Sequence, residues 1–305
     1  MRLGLVLPCA VIAPFVVAAS QPVRLQPSSP WVVDYGEQSC RLLRKFGAGD
    51  TETILVFESE APEEMDMLLI GKPLRTGEEE VPARFLPVQE KPIKGRPVTS
   101  DEKGQPGILY GHIQLLPDEE AAKLEARMAG RRANQLVPPP KVDPGEELER
   151  RSARQAFAAK ATALEIDGRR SKPVILETGS IGDAVKTFDK CVRDSLRDWG
   201  VDPDLEDKIA RPVWLKNRDT LIRADDYPRA MLFAGQQSEV KVRVLVDASG
   251  RVTKCTSLSH FKLPEFTKLV CDKITRNGSF EPAELTDGTK VPSYYTVHIN
   301  FRIAS

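Results

Sequence analysis

The chain has 305 residues, and its 44 Lys and Arg balance 44 Asp and Glu to a formal net charge of zero. At 41% hydrophobic and 29% charged it has a globular composition, with enough length for two domains. A neutral chain lacks the broad positive field of a nucleic-acid binder, so no nucleic-acid partner is expected.

Met1-Arg2 is a positive tip, Leu3 to Ala19 an apolar run, and Val17-Ala18-Ala19-Ser20 a small-residue exit. These are the three parts of a secretory signal peptide, assigned here to residues 1–20. The rival reading is a retained membrane anchor. A spanning helix wants about 20 apolar residues, and this run is shorter and interrupted by Pro8 and Pro14. Cleavage is therefore expected, with membrane association only if the N-terminus stays uncleaved.

Beyond Cys9 the cysteines are Cys40, Cys191, Cys255 and Cys271. An even number in an exported chain implies disulfides, and three pairings are open. No CxxC occurs, and the Cys/His spacings match no zinc site. His112, His260 and His298 are scattered, and nothing reads as GxSxG, HExxH or a phosphate loop. No enzyme, metal or cofactor is expected.

Residues 21–30 read as a polar leader. Strand candidates follow at Trp31–Tyr35, Thr53–Glu58, Met65–Ile70 and Ile108–Leu116, with Pro and Gly punctuating 91–107. Asp118 opens a charged helix running to Leu136, acids first and arginines late as the helix dipole prefers. Pro138-Pro139-Pro140 cannot continue it. Glu146–Lys160 is a second helix-prone stretch. Ala161–Ile166 and Pro173–Thr178 then read as two strands of a hairpin.

Ser180 is a good N-cap for the next helix, with Asp183 three residues on. Ile181, Ala184, Phe188, Cys191, Val192 and Leu196 share one face, and Gly200 suits the C′ position. Cys40 is the other cysteine in this half, so Cys40–Cys191 is the preferred bond of those open. Arg211 to Leu221 reads as a connector, with a domain boundary between about 203 and 224.

Beyond it, Arg229–Phe233 is a short helix stopped at Gly235. Val240, Val242, Val244 and Val246 form one face of a strand, and Arg251–Leu258 returns after the turn at Asp247–Gly250. Pro264 starts a helix with Phe266, Leu269, Val270 and Ile274 on its apolar side. Val291 to Ile303 alternates as a long last strand. The fold class is α+β: a C-terminal antiparallel sheet with one packed helix over 219–305, preceded by a separate mixed α+β domain over 30–210.

Tyr227-Pro228, the VxVxVDxxG run at Val242–Gly250, Cys255, the helix, FxPA at Phe280–Ala283 with its Pro282, Gly288 and the alternating last strand together resemble the TonB C-terminal domain family. The resemblance covers about 80 residues. Gln236-Gln237-Ser238 and Ser259–Leu263 depart from the family pattern, and no long Pro-rich spacer stands upstream. The resemblance implies a periplasmic location and a Cys255–Cys271 pair. It also implies a protein partner, such as an extended segment of an outer-membrane receptor, docked along the backbone of Ser293–Arg302. Tyr294, Thr296, His298, Asn300 and Arg302 would form a side-chain row that tunes partner choice. Competing occupants of that edge are the N-terminal domain and a second copy of the chain, the latter giving a homodimer. The function expected is non-enzymatic peptide or protein binding; the alternative is a membrane-anchored energy transducer for outer-membrane transport.

Overall fold

Along Thr53–Ala61 every second residue is buried and those between are half-exposed. That period of two is the pattern of a sheet with one face on a core. The computed structural model describes residues 21–62, 64–100, 104–133, 138–139, 141–168, 172–258 and 263–303. The expected signal segment 1–20 and residues 259–262, His260 among them, lie outside the described residues.

The first half contains β1 (Val23–Leu25), β2 (Val32–Tyr35), β3 (Cys40–Phe46), β4 (Thr53–Ala61), β5 (Glu64–Gly71), β6 (Val81–Leu86), β7 (Ile93–Ser100) and β8 (Gln105–Tyr110). Helices α1 (Asp118–Ala133) and α2 (Gly145–Lys160) follow, then β9 (Ala163–Ile166), β10 (Val174–Leu176) and α3 (Gly182–Trp199). The ten strands form one sheet in the order β1-β10-β9-β6-β7-β8-β5-β4-β3-β2. Only β1 against β10 is parallel.

The sheet closes on itself. Just past β1, Pro27 bridges Phe46, Ser28 N–H donates to Lys45 O at 2.8 Å, and Gly47 N–H donates to Gln26 O at 2.8 Å. One side of β3 is thus shared between β2 and residues 26–28, and closure removes a free edge. Residues 21–30 are accordingly not a leader: β1 belongs to the barrel, where Leu25 is buried.

Phe46, Phe57, Phe85 and Tyr110 fill the interior, each phenylalanine contributing roughly 1.5–3 kcal/mol of apolar burial. Phe85 stacks on Phe57 at 6.3 Å and meets Phe157 of α2 edge-on at 5.9 Å. Helix α3 packs on β2, β3 and β4, and Cys191 on its buried face is bonded to Cys40 of β3 (Cα–Cα 6.1 Å).

Three local expectations need correction. Residues 93–100 form β7 in mid-sheet despite Gly95 and Pro97, because the Tyr110 ring and Ile108 occupy the place of a Gly95 Cβ, at 2.6 and 2.7 Å. Strand β8 stops at Tyr110, short of Leu116. His112 takes a positive φ of 52° and its N–H donates to Asp66 Oδ1, while Ile113, Leu115 and Leu116 are buried outside any strand. The cap of α3 is Ile181 rather than Ser180, since the fully buried Ile181 side chain is drawn into the core. Gly200 does close the helix, with φ 86°.

A second core spans Ile209 to Phe301. Its elements are α4 (Pro203–Glu206), β11 (Ile209–Arg211), β12 (Trp214–Leu215), α5 (Arg218–Leu221), α6 (Arg229–Phe233), β13 (Ser238–Val246), β14 (Val252–Ser257), α7 (Pro264–Asn277), β15 (Phe280–Glu281), β16 (Ala283–Leu285), β17 (Lys290–Val291) and β18 (Ser293–Phe301). The expected connector is therefore structured. β11 pairs with β16 and β12 with β15, burying Ile209, Val213, Leu215 and Leu221. This core starts ahead of residue 219.

The main sheet of this core is three-stranded and antiparallel, in the order β14-β13-β18. Phe266, Val270 and Ile274 of α7 are fully buried in the same cluster as Val240, Val242 and Val244 of β13. Cys255 of β14 is bonded to Cys271 of α7 (Cα–Cα 5.7 Å), which staples the helix to the sheet.

Candidate partner-binding edge

Strand β18 runs antiparallel to β13 without a register break, from Ser293 opposite Val246 to Phe301 opposite Ser238. Among the described residues no strand pairs with its other side. An edge of this kind presents backbone N–H and C=O groups that another extended chain can complete. Pro292 separates β18 from β17, and Pro suits a strand's beginning because it cannot donate to a ladder.

Strand β18 has two side-chain rows. Val297 and Phe301 are buried in the core that α7 covers, with Tyr295 and Ile299 packed beside them, and the buried Ser293 hydroxyl donates to Glu206 Oε2 at 2.7 Å. Tyr227 holds the far end: its ring meets Phe266 and Phe301 edge-on at 5.5 and 5.6 Å, and its hydroxyl donates to Gln236 O at 2.5 Å. Pro228 is the N-cap of α6. Phe280 packs edge-on against Tyr295 at 5.8 Å, and Pro282 adjoins Gly250, whose φ is 85°. A Cβ at Gly250 would stand 2.6 Å from Phe280 O, so the turn glycine and the FxPA segment fit as one unit. These four residues shape the sheet and its turns.

The other row does not stand free along its length. It belongs to the sheet face that carries Lys241 and Arg243, and that face lies against the first core. Arg243 is 3% exposed. Its guanidinium donates to Glu60 O at 2.9 Å and Gln38 Oε1 at 2.8 Å, and stacks 3.3 Å over the Trp199 ring at the end of α3. Burial lowers its pKa to about 10, with the charges of Glu60, Tyr294 and Glu64 opposing the shift. Lys241 Nζ lies 2.5 Å from Glu60 and 2.8 Å from Glu64. Burial disfavours the Lys241 ammonium, but the two carboxylates outweigh it and its pKa is raised.

The five residues of the row thus divide. Tyr294 packs edge-on against Trp199 at 5.8 Å, and Thr296 Oγ1 is buried with no hydrogen-bond partner among the described residues. His298 is part-exposed with Nδ1 3.7 Å from Glu239. Burial first, then the Lys241 charge, lowers its pKa despite that carboxylate. Asn300 and Arg302 are exposed. Of the row, only its distal end is exposed. Sequence reasoning missed Trp199, Glu60 and Arg243. The one signal in the chain was a cation inside the valine strand.

At the proximal end, a cavity of about 690 Å³ lies between the two cores. Its walls come from the β4–β5 region, α1, α2, α3, residues 138–139 and 142–147, residues 206–218 and Ser293–Thr296. Ion pairs line it: Arg127 with Glu146, Arg150 with Glu147, Arg154 with Asp189, and Asp207 between Arg151 and Arg193. Burial pushes the Asp207 carboxyl up, but the hydrogen bonds and charges of both arginines outweigh it and leave the pKa lowered. Burial dominates at Asp189, whose pKa is raised in spite of Arg154. Among the described residues no helix is long and apolar enough to cross a membrane.

Residues 223–303 match the family model of the Gram-negative bacterial TonB protein C-terminal. The match takes in α6, β13, β14, α7 and β18, the whole three-stranded sheet. It leaves β11 and β12 outside, although both contribute to the core of this TonB-type domain. TonB C-terminal domains are protein-interaction domains that engage outer-membrane receptors. No curated protein matches the chain.

Proposed function

We propose that the chain is a periplasmic binding protein in which β18 captures an extended segment of a protein partner by strand addition. The observation that carries this reading is the nine-residue edge, paired along one side by β13 and, among the described residues, by no strand on the other. Main-chain hydrogen bonds would supply affinity, and the side chains flanking the edge would supply selection. The TonB family match gives the partner class, a protein, and an outer-membrane receptor segment is the natural candidate.

Backbone chemistry tests the reading. A synthetic seven-residue peptide of alternating Val and Thr is titrated into the full-length oxidised protein beside its counterpart N-methylated at alternate amides. Strand addition requires that methylation on one register abolish binding and methylation on the other leave it intact. Equal affinity for both registers sinks it.

The family match also favours a second reading, a membrane-anchored energy transducer. Intact mass of the natively expressed, non-reduced protein separates the two. Loss of residues 1–20 removes the anchor, whereas a full-length mass in the membrane fraction supports the transducer.

A further inference from the structure

The cavity between the two cores touches Ser293, Tyr294, Tyr295 and Thr296, four successive residues of β18. Successive side chains of a strand point to opposite faces. A space bordering all four therefore reaches the strand's edge. The other edge of the same residues is taken, from Ser293 opposite Val246 to Thr296 opposite Arg243. An extended segment laid along β18 would thus run, at this end, into the cavity of about 690 Å³, a volume within the range of ligand pockets. Its far wall is built from the first core, including Met65 and Phe188.

The charges lining the cavity are not all spent. Arg127, Arg150, Arg151, Arg154 and Arg193 each sit in an ion pair. Arg218, half-buried in the first turn of α5, donates to the Tyr295 hydroxyl at 3.5 Å and forms no ion pair among the described residues. A guanidinium in such a place is a ready counter-ion for a carboxylate.

We infer that this cavity is the specificity pocket of the β18 edge, taking an acidic residue flanked by apolar ones at the end of the partner strand, with Arg218 as its counter-ion. The inference rests on the strand-addition reading above. It gives the first core a role in recognition: half the pocket is its surface. The arrangement needs no rearrangement of the sheet, because Arg243 and Lys241 already hold the two cores together.

The test uses the full-length oxidised protein and fluorescein-labelled alternating Val/Thr peptides carrying Asp, Asn or Lys beside a terminal Val, each made with the variable residue at either end. Anisotropy at low salt should show the Asp peptide of one orientation binding about tenfold tighter than its Asn counterpart, the size of one partly desolvated ion pair. Arg218→Gln should erase that difference between the Asp and Asn peptides, and Arg218→Glu should shift the preference to Lys. Equal wild-type affinities for the three peptides, or an Asp preference that survives Arg218→Gln, would overturn the pocket and leave strand addition standing. No binding by any peptide overturns both.

Discussion

Replacing Arg243 by Met tests how the TonB-type sheet is held to the barrel. Methionine keeps an apolar stem over Trp199 and removes the charge and every donor. Two hydrogen bonds from a charged donor, at 2.8 and 2.9 Å, contribute about 1.5–3 kcal/mol each. The stacking over Trp199 adds about 2 kcal/mol when desolvated. Against this stands the burial that brings the pKa from 12.5 to about 10, a cost of about 3.5 kcal/mol at roughly 1.4 kcal/mol per unit. The balance is a loss of about 3 kcal/mol for Arg243→Met, and the orphaned Glu60 carbonyl adds to it rather than offsets it. Urea denaturation with the disulfides intact, followed by tryptophan fluorescence and far-UV circular dichroism, reads the change. Fluorescence should report undocking before the barrel melts, because Trp199 sits in the contact. A coincident transition within about 0.5 kcal/mol of wild type, the scale of a neutral surface change, would refute the reasoning.

Two other perturbations have definite expectations. The Cys40–Cys191 bond closes a sequence separation of 151 and Cys255–Cys271 one of 16; chain-entropy reasoning gives about 5 and about 3 kcal/mol for loops of those sizes. The Cys40→Ser/Cys191→Ser protein should therefore melt below the Cys255→Ser/Cys271→Ser protein in calorimetry, and the reverse order would count against it. His298 titrates with a folded pKa below its unfolded value of 6.5. Its protonation then favours the unfolded chain: the full stability is present above pH 6.5, falls as pH drops below that value, and levels once the folded pKa is passed. His298→Gln should flatten that part of the stability profile, and an unchanged slope would show that the histidine is not its source.

The C-terminal sheet was legible because its signals are local. Alternating valines from Val240 to Val246, a Pro-led apolar helix face and a turn at Asp247–Gly250 each act within a few residues. The barrel was only partly legible. β7 contains Gly95 and Pro97, residues that punctuate turns, and it is a strand because Tyr110 and Ile108 from β8 require a missing Cβ. β1 and β11 are three-residue strands whose apolar partners lie in distant elements. At the candidate site, periodicity set Tyr294, Thr296 and His298 on one row. It could not show that Trp199 would lie against Tyr294, or that Lys241 would bring Glu60 and Glu64 beneath this sheet face. The Arg218 cavity had no sequence signal at all, since its walls come from segments far apart in the chain.

Amide hydrogen exchange across the full-length oxidised protein, with and without a saturating alternating Val/Thr peptide, tests partner capture at β18 most directly. Strand addition there predicts slowed exchange within Ser293–Phe301 and no change in β14, the opposite edge of the same sheet. Slowing in β14 or in the barrel, with β18 exchanging as before, would contradict the account.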